Sequence, residues 1–330
     1  IWSLDGRTLD VWAMDEDGNA YRPVELRLVD VASGFVLGSR LCKSENAVDT
    51  VALIVGCVRQ WGKPKEIYTD NSRAFASFIV AGGATFKFRG KQDRKPEWEP
   101  PGVCKVLGIN IRFAKPENGR AKLVERSFRE TSRRIDQVPE FAGAHAGSRI
   151  DRKPTGKVVP VAFELVEEVA AREFAYHNAR RRRGGFAKGR SFEAVYLDSM
   201  AGQIKLVASD RELYEASLIY KPVSVNHEGR FKVNGWTYGQ PDTMVALLRF
   251  YDVARGKARE PIMVGIDPND HSVPAVAYDR LGNPIAKDIK PVIAGPYMSL
   301  DGKRDHDRNT KSANDLVKRA GEFGQKASAA

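Results

Sequence analysis

The sequence predicts a mixed α/β domain followed by a smaller all-β module. Over the first 200 residues, segments of strand and helix character follow the order β-β-β-α-β-α-β-α-α, which is typical of a mixed sheet with helices on its faces. From about residue 218 the pattern changes to short strands separated by turn residues, as in a small barrel. A chain of 330 residues is long enough for about two domains with real cores.

These patterns predict four regions. Residues 1–200 form the α/β core, 201–217 a linker, 218–297 a small β-barrel, and 298–330 a polar tail with little apolar periodicity. The barrel strands are expected at 223–225, 230–233, 262–266 and 275–278.

The predicted core begins with a meander of three strands joined by short turns. The first lies within residues 2–14, the second at 24–30 and the third at 35–41. In the second strand, apolar and polar residues alternate with a period of two, which indicates that one face is buried and the other is solvated.

A helix is predicted next, capped by Ser44 and ended near Trp61 by Gly62 and Pro64. The strand at 66–69 then delivers Asp70 and Asn71 at its carboxyl end. Open α/β sheets place their ligands at this edge. Asn71 could orient a ligand or simply cap the following helix.

Further along, residues 82–101 are predicted to form a loop, a strand is expected at 109–113, and a late amphipathic helix at 161–177.

The segment before that late helix contains a helix with two distinct faces. Its apolar stripe consists of Val124, Phe128, Thr131 and Ile135. The opposite face carries one acid among bases, namely Lys122, Glu125, Arg126, Arg129 and Arg133. Glu125 could be a metal ligand near a polyanion, or it could form an ordinary surface ion pair with Arg129, four residues on.

The charge balance favours a polyanionic partner. The chain has 53 Lys and Arg against 42 Asp and Glu, a net charge of +11. Much of this excess falls between residues 120 and 190, including the run Arg180–Arg183. Nucleic acid is the commonest soluble polyanion. We expect the arginine run to attract phosphates rather than read bases.

The remaining composition narrows the class of protein further. Three separated cysteines, Cys42, Cys57 and Cys104, indicate reduced thiols in a cytoplasmic protein. No Cys/His spacing suggests zinc, and no apolar run predicts a membrane span. Because the chain opens at Ile1 in strand-like sequence, we expect it to be a fragment of a longer protein.

Three carboxylates from different predicted elements could form one metal site. Asp5 lies on the first strand, Asp70 at the end of the fourth, and Glu125 on the helix after the fifth. Phosphodiester chemistry without a protein nucleophile commonly uses two divalent cations, and Mg²⁺ prefers carboxylate oxygens. Asp10 and Asp15 are rivals for the first position.

Three motifs carry a family resemblance. They are Ile1-Trp-Ser-Leu-Asp-Gly6, Ile67-Tyr-Thr-Asp-Asn71 and the stretch from Pro116 to Phe128 around Glu125. They resemble the three acidic motifs of DDE transposases and retroviral-type integrases. The interval between the second and third acids is similar to that of the phage Mu type, and later segments also resemble this type. They are Phe174-Ala-Tyr-His-Asn-Ala-Arg180, Val264-Gly-Ile-Asp-Pro268 and Ala277-Tyr-Asp-Arg-Leu-Gly282.

The resemblance implies an RNase H-like core followed by a β-barrel that binds DNA without reading its sequence. It implies that Asp5, Asp70 and Glu125 are the catalytic, metal-binding carboxylates of a two-metal site for Mg²⁺, with Mn²⁺ as a substitute. The implied reaction is nicking at the 3′ end of a mobile element followed by strand transfer into target DNA.

The implied partners are double-stranded DNA, as element ends and as target, and further copies of the chain on paired ends. Phosphates would be held by the basic residues named above, Lys122, Arg126, Arg129, Arg133, Arg180, Arg181, Arg182 and Arg183. Two alternatives remain: another RNase H-like nuclease that cleaves particular DNA structures, and a non-catalytic DNA-binding regulator.

Overall fold

A computed structural model describes residues 1–70, 72–82, 101–114, 123–146 and 158–292. The chain divides into two compact units. The first holds the described residues up to Ser217, and the second holds those from Leu218 onward. The expectations for Asn71, for Lys122, for residues 83–100 of the loop predicted at 82–101, and for the tail at 298–330 lie outside the described residues. Within the described ranges, no helix is both long enough and apolar enough to cross a membrane.

The first unit alternates strands and helices. Its strands are β1 (Trp2–Thr8), β2 (Ala13–Met14), β3 (Ala20–Tyr21), β4 (Val24–Asp30), β5 (Val36–Cys42), β6 (Glu66–Thr69), β7 (Asn110–Phe113) and β8 (Val161–Ala162). Its helices are α1 (Ala47–Trp61), α2 (Phe78–Ala81), α3 (Val103–Val106), α4 (Leu123–Asp136), α5 (Phe163–Ala179), α6 (Phe192–Ala201) and α7 (Asp210–Ser217).

Five strands form the central sheet in the order β5-β4-β1-β6-β7. The strands β5, β4 and β1 are antiparallel neighbours, as a meander with short turns requires. The strands β6 and β7 run parallel to β1 and to each other. The predicted mixed sheet flanked by helices is therefore confirmed.

Helix α1 covers one face of this sheet. Its N-cap is Asn46, whose side chain accepts a hydrogen bond from the Asp49 backbone N–H at 2.9 Å, so the predicted cap at Ser44 is wrong by two residues. Gly62 ends the helix with a positive φ of 88°. A Cβ added to Gly38 on β5 would lie 2.6 Å from the Cys57 sulfur, so strand and helix approach closely here.

Helices α4 and α5 lie on the other face. All four residues of the stripe predicted on α4 are buried, and two of them, Val124 and Phe128, pack with Val29 and Val36 of the sheet. Because these helices cover the second face of the sheet, the expectation that one face of β4 is solvated is wrong. Both Glu25 and Arg27 are fully buried because a helix, and not water, meets that face.

The segment predicted as a linker is partly folded into the first unit. Leu213 and Ala216 of α7 are buried in the same core cluster as α1. Glu212 caps the start of this helix by accepting from the Ser209 backbone N–H at 2.8 Å and also pairs with Lys63. The helix is therefore held by packing, and residues 210–217 do not form an extended connection.

The second unit contains strands and one helix. They are β9 (Ile219–Val223), β10 (Phe231–Val233), β11 (Trp236–Tyr238), α8 (Pro241–Leu248), β12 (Tyr251–Asp252), β13 (Lys257–Ala258), β14 (Ile262–Ile266), β15 (Ala275–Tyr278) and β16 (Pro284–Ile289). Four strands pair antiparallel in the order β16-β15-β14-β9, and β10 and β11 form a hairpin. The predicted strand-rich module is present, but its helix α8 was not predicted.

Candidate active site

Asp5 lies on β1, and Asp70 directly follows β6, which is the parallel neighbour of β1. The strands β1 and β6 pair with Trp2 opposite Ile67 and Ser3 opposite Tyr68. Continuing this register by two residues places Asp5 beside Asp70, the residue after β6. Neighbouring strands lie about 4.8 Å apart. The sheet register therefore brings the first two predicted carboxylates to the same place.

Local hydrogen bonds orient both carboxylates. Asp5 is buried, and its Oδ1 accepts from the Gly6 backbone N–H at 2.9 Å. The Oδ1 of Asp70 accepts from the Ser72 backbone N–H, also at 2.9 Å, in the turn that follows the strand. In each bond, a backbone N–H donates to one oxygen of the carboxylate and so fixes the position of that oxygen.

The rival acids lie elsewhere in the first unit. Asp10 pairs with Arg22 at 2.6 Å. Asp15 lies in the turn between β2 and β3, where the hydrogen bond from Lys43 and those from the turn backbone hold the pKa of its carboxyl below the usual range. Neither residue continues the β1–β6 register to Asp70, whereas Asp5 does.

Asp5 belongs to the sheet face that α4 covers. Successive residues of a strand point to opposite faces, and Leu4 lies in the core cluster on the α1 side. Directly across from Asp5 on β4 is Arg27, whose guanidinium reaches α4. Glu125 lies in the first turn of α4 and is half-buried, one residue after the buried Val124.

The three carboxylates are not gathered into a formed metal centre. In the part of the chain that the structure describes, no group of three or more His, Cys, Asp or Glu side chains is arranged to hold a metal ion. The continued β1–β6 register sets Asp5 opposite Asp70, and Glu125 lies on a helix packed against the sheet face of Asp5.

A buried polar network joins that helix to the sheet. The Arg27 guanidinium donates to Glu25 Oε1 at 2.6 Å, to Thr131 Oγ1 at 2.9 Å and to the Ser127 hydroxyl. The Cζ atom of Arg27 lies 4.5 Å from the centroid of the Phe128 ring and 4.7 Å from that of the Phe174 ring. Burial lowers the pKa of Arg27, and the charge of Glu25 opposes this shift.

A second buried pair holds the last turn of α4. Arg7, two residues beyond Asp5, donates to both oxygens of Asp136, at 2.7 and 3.2 Å, and to Glu25 at 3.1 Å. Burial raises the pKa of Asp136, and the charge of Arg7 opposes this shift. The sequence analysis missed this network. The sequence offered one indication of the network, namely the charged residues Glu25 and Arg27 on β4, but that face of the strand was expected to be solvated.

The exposed face of α4 is basic, as predicted. Arg126, Arg129 and Arg133 are exposed, and Arg126 lies 3.5 Å from Glu130, four residues on. These side chains follow the same helix as Glu125 and provide positive charge beside it.

The arginine run that follows α5 is not one uniform surface patch. Arg181 and Arg183 are exposed. Arg182 turns inward: its guanidinium donates to Glu130 at 2.6 Å and to the His177 carbonyl at 2.7 Å, and lies 3.5 Å from the Phe192 ring centroid. Arg180 also donates to Glu130, at 3.2 Å. Arg182 is therefore packed into the first unit, and the expected DNA contact by this residue stays a prediction.

His177 is buried beside this cluster. Burial, with the charges of Arg182 and Arg27, lowers its pKa to about 3, so the imidazole is neutral at physiological pH. Neither ring nitrogen has a hydrogen-bond partner among the described residues. Its Nδ1 lies 3.8 Å from Glu130.

The sequence is similar to those of known proteins. Residues 2–198 match the family model described as Bacteriophage Mu transposase. The Mu-like prophage FluMu transposase A of Haemophilus influenzae is 26% identical over 300 residues, a match that covers 86% of this chain and 42% of the relative. The chain thus spans about two fifths of the length of that curated relative.

Two solved structures overlap with the chain at low TM-scores. The simian T-cell lymphotropic virus intasome in complex with PP2A regulatory subunit B56 gamma gives 0.40 at 13% identity, covering 89% of this chain and 79% of that chain. The HTLV-2 integrase catalytic core domain in complex with magnesium, in its trimeric form, gives 0.36 at 15% identity, covering 59% and 93%. Neither overlap decides anything about the site.

Proposed function

This chain belongs to the bacteriophage Mu transposase family, and we propose that it catalyses metal-dependent nicking and strand transfer of DNA. The observation that supports the proposal is the parallel pairing of β1 with β6, whose register, continued by two residues, sets Asp5 opposite Asp70 on the face that the Glu125 helix covers. Nicking frees a 3′-hydroxyl at the end of the element. That hydroxyl then attacks a phosphodiester of the target strand, and the displaced strand end leaves as the new bond forms. No covalent bond to the protein is required.

We propose that Asp5, Asp70 and Glu125 together hold two Mg²⁺ ions, with Mn²⁺ as a substitute. The donor set fits, because all three offer the hard carboxylate oxygens that these cations prefer. A bound pair of such cations activates the attacking hydroxyl or water and stabilises the leaving oxygen. Asp5 would supply an oxygen from a buried position on β1, and Glu125 would supply one from the first turn of α4, which packs on the same sheet face.

The basic residues hold the phosphates on either side of the reacting bond. Arg126, Arg129 and Arg133 line the exposed face of the Glu125 helix, and Arg181 and Arg183 are exposed after α5. Lys122 and Arg180 are proposed for the same role. Phosphate contacts fix the position of a protein on DNA without reading the base sequence, and they make the binding affinity fall steeply as the salt concentration rises.

We further propose that the second unit adds DNA contacts independent of sequence. Lys257 and Arg259 are exposed at and just beyond β13, where they can meet a phosphate backbone. Several copies acting on paired element ends would supply the full set of contacts. We place this activity in a bacterial cytoplasm, on element and target DNA.

The proposal is tested by strand transfer from pre-cut duplex ends into plasmid DNA with Mg²⁺ or Mn²⁺. We expect Asp5→Asn, Asp70→Asn and Glu125→Gln each to abolish transfer while DNA affinity, measured by fluorescence anisotropy, changes little. Asp17→Asn is the control, because Asp17 is an exposed acid in a turn. Full activity in any of the three variants removes that residue from the proposed site.

The same assay separates the two alternatives. Cleavage of branched DNA without any transfer product would identify a structure-specific nuclease. DNA binding without cleavage in either metal would identify a regulator. Transfer by the wild-type chain excludes both.

A further inference from the structure

The segment between α5 and α6 folds into a compact loop that presents one aromatic ring. The Arg182 backbone N–H donates to the Arg190 carbonyl at 2.9 Å, and the Gly189 N–H donates to the Arg182 carbonyl at 2.8 Å. Gly185 and Gly189 adopt positive φ angles of 74° and 80°, which this tight path requires. The loop is thus closed by its own backbone.

Phe186 lies in this loop with 59% of its surface exposed. Its ring is parallel to that of Phe192, with 5.8 Å between centroids and 3° between planes. Phe192 in turn contacts the Arg182 guanidinium, and a Cβ added to Gly34 would lie 3.2 Å from its ring. Phe192, which is itself packed against Arg182 and Gly34, therefore supports one face of the Phe186 ring.

The surroundings of Phe186 are cationic and adjoin the helix that carries Glu125. Phe186 and Phe192 line a small cleft together with Arg126, Ser127 and Glu130 of α4. The exposed cations of the loop itself are Arg181, Arg183, Lys188 and Arg190. An exposed ring in a loop that also carries exposed cations matches a ligand that is both a polyanion and aromatic, and nucleic acid has both properties.

We propose that Phe186 stacks on a DNA base whose face is exposed beside the reacting phosphodiester. This inference rests on the proposed function, since it places the DNA at the Glu125 helix. In an intact duplex, neighbouring base pairs cover both faces of each base. A protein ring reaches such a face only at a strand end, at an unpaired base or at an opened step. The stack would fix the position of the end relative to the carboxylates.

The test uses DNA containing 2-aminopurine, whose emission is quenched when it stacks. The probe occupies the terminal pair of a blunt duplex, an unpaired overhang, or the interior of a fully paired duplex. Binding of the 330-residue chain is followed separately by anisotropy. We expect quenching at the terminal or unpaired position and an unchanged signal from the interior probe. The first two DNAs distinguish a paired terminal base from an unpaired one.

Variants identify the ring responsible. Phe186→Ala should abolish the quenching and weaken binding to the exposed-base DNA about 5- to 140-fold, since stacking is worth ~1–3 kcal/mol per base. Phe186→Trp should retain both. Ile204→Ala is the matched control, because Ile204 is 90% exposed elsewhere in the same unit. Arg183→Ala should weaken binding but leave the quenching at saturation intact.

The outcomes separate this inference from the proposed function. Unchanged quenching in Phe186→Ala, or bound wild-type protein without quenching, overturns the stacking role and leaves the strand-transfer proposal standing. A wild-type chain that binds none of the DNAs overturns both. Circular dichroism of Phe186→Ala should match the wild type, because the side chain is mostly exposed.

Discussion

Arg27 on β4 donates a hydrogen bond to Thr131 on α4, 104 residues further along the chain, at 2.9 Å. Arg27 is also the residue directly across from Asp5. The contact therefore joins the strand position facing one candidate carboxylate to the helix that carries another. Together with the Arg7–Asp136 pair at the far end of α4, it fixes how that helix lies along the sheet.

Replacing Arg27 by Met should strongly destabilise the first unit. The change leaves Glu25, which is also fully buried, without one of its two cationic partners. Removing one partner of a buried pair typically costs about 3–5 kcal/mol. Urea unfolding followed by circular dichroism measures the loss. Arg40→Ala is the control: Arg40 pairs with Asp49 at a side-chain exposure of 46%, so its loss should cost under about 1 kcal/mol. Equal losses would contradict a structural role for the buried network.

Arg182 and Arg181 should behave in opposite ways when replaced by Ala. Arg182 loses two charge-assisted hydrogen bonds and an aromatic contact, so we expect about 2–4 kcal/mol of destabilisation. Arg181 is exposed, so its variant should remain within about 0.5 kcal/mol of the wild type. If Arg181 contacts a phosphate, the slope of log affinity against log salt should fall by about 1.

Thermal or urea unfolding and salt titrations of DNA binding measure these two effects. A stable Arg182→Ala variant with weakened DNA binding would reverse the assignment.

The buried His177 should make the protein less stable in acid. Its pKa falls from 6.5 to about 3 on folding. Between these pH values the unfolded chain binds a proton at this residue that the folded chain does not. Stability should therefore decrease as the pH falls through this window, by up to about 1.4 kcal/mol per pH unit from this group.

Urea unfolding at several values between about pH 7 and pH 4 measures the free energy of unfolding of the wild type and of His177→Leu. The free energy of the variant should depend less on pH. Val169→Ala, a buried change that removes no titrating group, should lower stability by the same amount at every pH. A His177→Leu profile parallel to the wild type would show that the histidine does not titrate in this way.

The three cysteines should be unreactive in the folded protein. Burial raises the pKa of Cys42, Cys57 and Cys104 to about 12 in each case, and the thiolate is the reactive form. With a colorimetric disulfide reagent at mildly alkaline pH, we expect no rapid reaction under native conditions and three equivalents after denaturation. Rapid native labelling of one thiol would show that its region opens.

Much of the architecture follows from local pattern. Several elements were predictable because apolar residues repeat along the chain with a period of two in strands and about 3.6 in helices. Examples are the strands around Leu4, Leu28 and Ile67 and the helix around Val124. Helix caps were less accurate: both Ser44 and Asn46 are suitable residues, and the difference depends on how the chain leaves β5. Helix α8 was missed because its eight residues lie among short strands.

Local sequence pattern was enough to predict the mixed α/β core, the basic character of the chain and the three candidate carboxylates. The tertiary structure alone decided which charges face inward. Arg182 and Arg183 are adjacent and chemically identical, yet one is bound to Glu130 and the other is exposed. Likewise, the polar face of β4 is buried because a helix about 100 residues away in sequence packs on it. Burial depends on contacts between distant segments, and the periodicity of apolar residues within one segment does not show which other segment packs on it.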